Sequence, residues 1–179
     1  MNDSTRSERS WWIWVLAAVG AAGLLVFAIV AGLVAFPPLL ANARTQVASA
    51  ETPLVLGPKD ASVAVAVPAG WLITSQDETH ALIATPDRGM TIEAMLTDTA
   101  PEQAATDAGV AAPMVETLAS GLTVAHGSPS GSSEGAAAGP DLVAAVGPVA
   151  GGSVVFVASS GDLERYRAAM ASLVEGVQP

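Results

Sequence analysis

Cysteine is absent from this 179-residue chain, and lysine occurs once, at Lys59. Without cysteine there can be no disulfide, no thiolate metal ligand, no thiol nucleophile and no lipid-modified cysteine anchor. Aromatic residues make up only 4% of the chain, so a folded core must be built mainly from aliphatic side chains. Three of the four tryptophans are clustered at Trp11, Trp12 and Trp14, which leaves Trp71 as the large aromatic candidate for the core.

Charged side chains are also missing from residues 11–36. At ~1.5 Å per residue, a helix of this length rises roughly 39 Å, more than the hydrocarbon core of about 30 Å requires. The sequence therefore predicts a transmembrane helix over residues 11–36 after a tail of residues 1–10. Trp11, Trp12 and Trp14 are predicted to lie at the membrane interface, where indole N–H groups can reach lipid headgroups.

Basic residues near the ends of this segment indicate its orientation. Arg6 and Arg9 precede it, whereas only Arg44 follows closely. Because basic residues favour the cytoplasmic side, we expect a cytoplasmic N-terminus and an extracytoplasmic C-terminal domain. Frequent alanine and glycine with a single lysine suggest a bacterial protein. The chain is thus predicted to be a single-pass signal-anchor protein of the cell membrane.

Small residues after the apolar segment leave an alternative open. Ala41–Ala43 and Ala48–Ala50 both have the spacing that signal peptidase cleaves, and cleavage after Ala43 or Ala50 would release a secreted ligand-binding module. However, the apolar segment is much longer than the core of about 7–15 residues in a usual signal peptide. A retained anchor is therefore the favoured interpretation.

Acidic residues dominate the remainder of the chain. Residues 44–179 carry fifteen acids and five bases and hold the whole net charge of −10, whereas the charges of residues 1–43 cancel. Such a domain repels phosphate backbones, so we expect no nucleic-acid partner. The expected partners are the lipid bilayer and another envelope or membrane protein.

Prolines and small polar residues predict a linker over residues 37–53, and the folded extracytoplasmic domain is predicted over residues 54–179. Alternating and short apolar runs predict six or seven strands, joined by turns that include Asp87–Gly89 and Ala119–Gly121. Apolar runs at 142–146 and 154–158 are predicted to be the central antiparallel pair.

Two helices are predicted between and after these strands. A capping box of Thr99 and Glu102 predicts a short helix that ends near Ala108. A second helix is predicted to begin near Asp162, with one apolar face formed by Leu163, Tyr166, Met170, Leu173, Val174 and Val177. The predicted fold class is α+β, a mainly antiparallel sheet with a short helix and a C-terminal amphipathic helix packed on it.

The segment Val67-Pro68-Ala69-Gly70-Trp71 ends the first predicted strand of this sheet. It resembles the opening of PsbP-like α/β/α sandwich domains, in which an early strand ends in Pro-x-Gly-Trp and the chain closes with a strand pair and an amphipathic helix. The resemblance implies a sandwich fold and no single activity; many bacterial members look like anchored or secreted accessory proteins. From the residues alone, Gly70 supplies an unusual backbone angle and Trp71 packs in the core.

Candidate residues for chemistry are few. His80 and His126 each lack a second His or Cys at ligand spacing, so the Asp77-Glu78 pair beside His80 is interpreted as a surface loop rather than a metal site. Residues 127–131 resemble a hydrolase Gly-x-Ser-x-Gly motif in letters but not in spacing. We therefore predict no catalytic, cofactor-binding or metal residues, no cofactor and no enzyme activity. The predicted function is an accessory or binding domain, and an envelope hydrolase is the least favoured alternative.

Overall fold

The structure is a computed structural model that describes residues 45–49, 52–130 and 140–178. The predicted tail at 1–10 and the predicted transmembrane helix at 11–36 lie outside these residues. Within the described ranges, no helix combines the length and the apolar character that crossing a membrane requires.

The described residues form eleven strands and two helices. In chain order, the elements are β1 (Thr45–Val47), β2 (Leu54–Leu56), β3 (Val63–Val65), β4 (Leu72–Ser75), β5 (His80–Ala84), β6 (Met90–Thr97), α1 (Pro101–Asp107), β7 (Met114–Thr117), β8 (Thr123–Gly127), β9 (Leu142–Val149), β10 (Gly152–Ser160), α2 (Leu163–Glu175) and β11 (Val177–Gln178).

Eight strands form the main sheet, in the order β1-β4-β5-β6-β10-β9-β8-β7, and three form a smaller sheet in the order β11-β3-β2. Every paired strand is antiparallel to its neighbour. The prediction of an α+β fold with a mainly antiparallel sheet and two helices is therefore confirmed.

The central strands β9 and β10 are covered on both faces. Because successive side chains on a strand point to opposite faces, Val143 and Val155 pack on one side and Phe156 on the other. On the first side, α1 covers β8, β9 and β10 with Ala104 and Ala105, whose small side chains let the helix approach closely.

The second face of the main sheet carries the larger core. Helix α2 contributes Tyr166, Met170 and Leu173 to this core. The small sheet also contributes buried residues to it. Trp71 is buried in the same core, as predicted, and Gly70 before it has a φ of 88°, which glycine adopts readily. The main sheet thus has α1 on one face and α2 on the other.

Several local predictions agree with the structure. The β5–β6 hairpin turns at Asp87–Gly89, and the β7–β8 hairpin turns at residues 119–121. Strands β9 and β10 form the predicted antiparallel pair, and β10 lies at the middle of the main sheet between β9 and β6. Asp162 caps α2, because its side chain accepts a hydrogen bond from the Arg165 N–H at 3.2 Å.

Three local predictions need correction. Strand β1, Thr45–Val47, pairs with β4 in the main sheet and lies inside the range 37–53 predicted as a linker. The capping box is wrong: Ala100 is the N-cap of α1 and makes no side-chain capping bond, while the Thr99 carbonyl accepts a hydrogen bond from the Ser153 hydroxyl at 2.7 Å. Val177 is not helical, because it pairs with Val65 in the small sheet.

Gly152, at the start of β10, provides a test of how closely β10 and β6 approach. A Cβ at this position would overlap the Thr97 carbonyl oxygen and lie 2.7 Å from Asp98 Cα. Since backbone atoms cannot move aside cheaply, Gly152→Ala should lower the free energy of unfolding by about 3 kcal/mol. Gly161→Ala is the control, because nothing lies within 4 Å of a Cβ there. Equal stabilities of the two variants in denaturant titrations would contradict this packing.

Candidate binding cleft

An open cleft of about 460 Å³ lies between α2 and the end of the main sheet formed by β7, β8 and β9. We refer to it as the α2 cleft. Its volume falls within the roughly 300–1,000 Å³ that is typical of ligand pockets. The residues that line it are Met114, Glu116, Leu118, Val124, His126, Gly127, Ser128, Leu142, Ala144, Leu163, Arg167, Met170, Ala171, Val174 and Glu175.

The floor of the α2 cleft is apolar. Val124 and Ala144 are buried on the sheet side, and Met170 and Val174 are buried on the helix side. Ala144 on the sheet and Ala171 on the helix, both with short side chains, also line the cleft. The cleft is therefore a continuation of the larger core that protein side chains do not fill.

The rim of the α2 cleft carries charged side chains. Arg167 donates two hydrogen bonds to one oxygen of Glu164, from Nε at 2.9 Å and from Nη2 at 2.6 Å. Among the described residues, no arginine or lysine lies within ion-pair distance of Glu116 or Glu175. Because Glu164 offsets the charge of Arg167, the rim has a surplus of negative charge.

His126 and Glu116 meet at this rim because of the β7–β8 register. His126 lies opposite Met114, and Glu116 is two residues along β7 on the same face. The distance between His126 Nε2 and Glu116 Oε1 is 3.7 Å, which allows attraction but exceeds hydrogen-bond length. No hydrogen bond joins His126 to a serine or threonine hydroxyl in the described ranges.

Helix α2, which forms one wall of the cleft, is held to the β5–β6 turn by Asp87. The Asp87 carboxylate accepts hydrogen bonds from the Tyr166 hydroxyl at 2.7 Å, the Thr85 hydroxyl at 2.7 Å and the Gly89 N–H at 3.1 Å. Arg165 lies 3.0 Å from the same carboxylate. The helix is thereby tied to the β5–β6 turn near its N-terminal end, where Leu163 lines the cleft.

These contacts shift the pKa values of Asp87 and Tyr166 in opposite directions. Hydrogen bonds from Thr85, Tyr166 and Gly89 lower the pKa of Asp87 from its usual 3.8 to about 2. The hydrogen bond that Tyr166 donates to this carboxylate raises the pKa of the tyrosine. Asp87 is therefore ionised and Tyr166 is neutral at neutral pH.

The other histidine, His80, takes part in a local turn. Asp77 accepts hydrogen bonds from the N–H groups of Thr79 and His80 at 2.7 and 2.8 Å, and its Oδ1 lies 3.1 Å from His80 Nδ1. The hydrogen bond from the Thr79 N–H, with those from the Thr79 hydroxyl and His80, lowers the pKa of Asp77 to about 2. The described residues hold no cluster of three or more side chains suited to a metal ion. This segment forms a surface turn at the start of β5.

The predicted site residues and the α2 cleft lie in different parts of the chain. Trp11, Trp12 and Trp14, predicted at the membrane interface, are outside the described residues. The cleft residues were not predicted, because His126 has no partner at ligand spacing along the chain. One signal was present: pairing residues 114–118 with 122–126 in the predicted hairpin places Glu116 and His126 on the same face.

No protein-family model matches this chain, and no curated protein or solved structure matches it either.

The acid sensitivity of the fold tests the role of Asp87. Its pKa is lower in the folded protein than its usual value, so its stabilising effect is complete above about pH 4 and is lost as the pH falls towards about 2. Asp87→Asn does not titrate, so its melting temperature should fall less over this interval than that of the wild type. Asp77 titrates in both proteins and cancels in the comparison. Asp60→Asn, in an exposed turn, should follow the wild type. Parallel curves for Asp87→Asn and the wild type would refute this assignment.

Proposed function

We propose that this chain is a single-pass membrane-anchored extracytoplasmic binding domain, and that the α2 cleft takes a segment of another envelope protein. The domain would act as an accessory subunit without catalytic activity of its own. The observation that carries this proposal is the α2 cleft itself, an open space of about 460 Å³ with an apolar floor and a charged rim. An apolar floor with a few polar groups around it is typical of a binding site.

The residues of the cleft support binding rather than catalysis. A nucleophilic or general-base mechanism needs a base within hydrogen-bond reach of the group that it activates. His126 lies 3.7 Å from Glu116, and Ser128 lines the same cleft without a hydrogen bond to the histidine in the described residues. We therefore assign no hydrolase activity to this site.

The start of the sheet supports retention of the N-terminal segment over cleavage after Ala50. Ala48 is buried, its N–H donates to the Trp71 carbonyl at 2.7 Å, and its carbonyl accepts from the Gly70 N–H at 2.9 Å. Cleavage after Ala50 would remove β1 and this pairing from the domain. Cleavage after Ala43 would leave both in place, so a secreted module that begins at Arg44 is the alternative.

The anchor is tested by the mass and location of the protein in cells. We expect the whole population to stay in the membrane fraction after an alkaline wash and to have the intact mass of the uncleaved chain. A tag at the C-terminus should be digested when protease is added outside the cytoplasmic membrane. A soluble species that begins at Arg44 or Glu51 would refute the anchor and favour the secreted module.

Position-specific photo-cross-linking in intact cells tests the α2 cleft. A photoreactive phenylalanine analogue at Ala171, an exposed residue that lines the cleft, should form a cross-link to one defined partner. The same analogue at Ala168 is the matched control, because Ala168 is exposed on the same helix but does not line the cleft. Cross-linking that is equal at the two positions, or absent at Ala171, would refute binding in the cleft.

A further inference from the structure

Strand β7 ends the main sheet beside the α2 cleft. It pairs with β8, and no described strand pairs with its outer edge. Met114 and Glu116 line the cleft from this strand, so the cleft and the open edge are adjacent. A strand added at this edge would pair with β7 and place side chains in the cleft.

The register shows which backbone groups of β7 point outwards. The Leu118 N–H donates to the Leu122 carbonyl at 2.8 Å, which makes these two residues a hydrogen-bonded pair. Hydrogen-bonded and non-hydrogen-bonded pairs alternate in antiparallel strands, so Glu116 and Met114 also face β8. Val115 and Thr117 therefore present their N–H and C=O groups at the open edge.

Both faces of β7 expose an apolar side chain beside this edge. Met114, on the face of the cleft, is 60% exposed, and Val115, on the opposite face, is 52% exposed. Alternate residues of an added strand would contact one or the other, since their side chains also alternate between faces. Of the four sheet edges in the described part, formed by β1, β2, β7 and β11, only that of β7 contributes residues to the cleft.

The charge around β7 indicates the composition of the added strand. Glu116 and Glu175 have no arginine or lysine partner among the described residues, and residues 44–179 have a net charge of −10. A second copy of this domain would bring the same charge to the same edge, which opposes pairing of two copies. A segment with basic side chains is complementary to it.

We propose that the edge of β7 and the α2 cleft bind an extended segment of a partner protein in which apolar residues alternate with lysine or arginine. The segment pairs through its backbone with Val115 and Thr117. Its lysine or arginine side chains lie on the cleft face, where their aliphatic stems contact the apolar lining and their charged ends reach Glu116, and its apolar side chains lie on the opposite face beside Val115. Strand addition of this kind derives affinity from backbone hydrogen bonds and selectivity from pockets for alternate side chains. This inference rests on the proposed binding function and specifies the chemistry of the partner.

A labelled peptide that alternates lysine and valine serves as the probe, with the full-length protein in detergent and fluorescence polarisation as the measurement. Val115→Pro removes an outward N–H without removing a bond to β8, because proline is tolerated where the N–H faces solvent at a sheet edge. We expect this variant to bind the peptide at least ten-fold more weakly than the wild type. Val115→Thr keeps the N–H, so it should bind the peptide more tightly than Val115→Pro does. A peptide with glutamate in place of lysine should bind at least ten-fold more weakly.

Hydrogen exchange of the wild type gives a second measurement that does not depend on the folding of the proline variant. Added peptide should slow exchange of the Val115 and Thr117 amides at least ten-fold. It should change the Met114 and Glu116 amides less, because these groups already face β8. Unchanged exchange at Val115 and Thr117 in the presence of saturating peptide would overturn strand addition.

The outcomes separate this inference from the proposed function. If Ala171→Trp, which fills the cleft, abolishes peptide binding while Val115→Pro does not, the cleft is a binding site and strand addition is wrong. If neither variant weakens binding, the peptide associates by charge alone and strand addition is overturned, while cross-linking at Ala171 decides the cleft independently. If the wild type dimerises and Val115→Pro is monomeric, the edge pairs with a second copy and the proposed partner is wrong.

Discussion

The fold depends on burial of the β9–β10 pair on both faces. Val143, Ala145 and Val155 face α1, whereas Val146 and Phe156 face α2 and the small sheet. A sheet with apolar residues on both faces needs cover on both sides, and the chain supplies one helix between β6 and β7 and another after β10. Each hairpin of the main sheet is then added outwards from this pair, so the strands farthest from it, β1 and β7, are the least covered.

The α2 cleft follows from this arrangement. Helix α2 buries Tyr166 and Leu173 over the main core, and its adjoining side, with Leu163, Arg167 and Ala171, faces the β7–β8–β9 end of the sheet. Ala171 on the helix and Ala144 on β9 both line the cleft, and their short side chains occupy little of the space between helix and sheet. The Asp87 carboxylate fixes the N-terminal part of α2 through Tyr166 and Arg165 and keeps this wall in place.

Much of the fold could be predicted because its signals are local. Strand alternation at Val63–Val65, the turn at Asp87–Gly89 and the Asp162 cap all depend on neighbouring residues. Strand β1 has no such signal, because Thr45, Gln46 and Val47 are all exposed. The helical period wrongly extends to Val177, because this buried position in β11 falls on the same spacing as the apolar face of α2. The cleft could not be predicted as a site, since it joins residues 114–128, 142–144 and 163–175, which only the tertiary structure brings together.

An open sheet edge next to an apolar cleft favours self-association. The sequence around β7 opposes such pairing between two copies. Pro113 precedes the strand and cannot donate a backbone hydrogen bond, which limits the edge to the four residues of β7. Glu116 adds a charge on the face of the cleft, and like charges placed opposite each other destabilise strand pairing. The net charge of residues 44–179, −10, extends this repulsion to the whole domain. The same charges that oppose a second copy attract a basic segment, so protection from self-pairing and selection of a partner have one electrostatic origin.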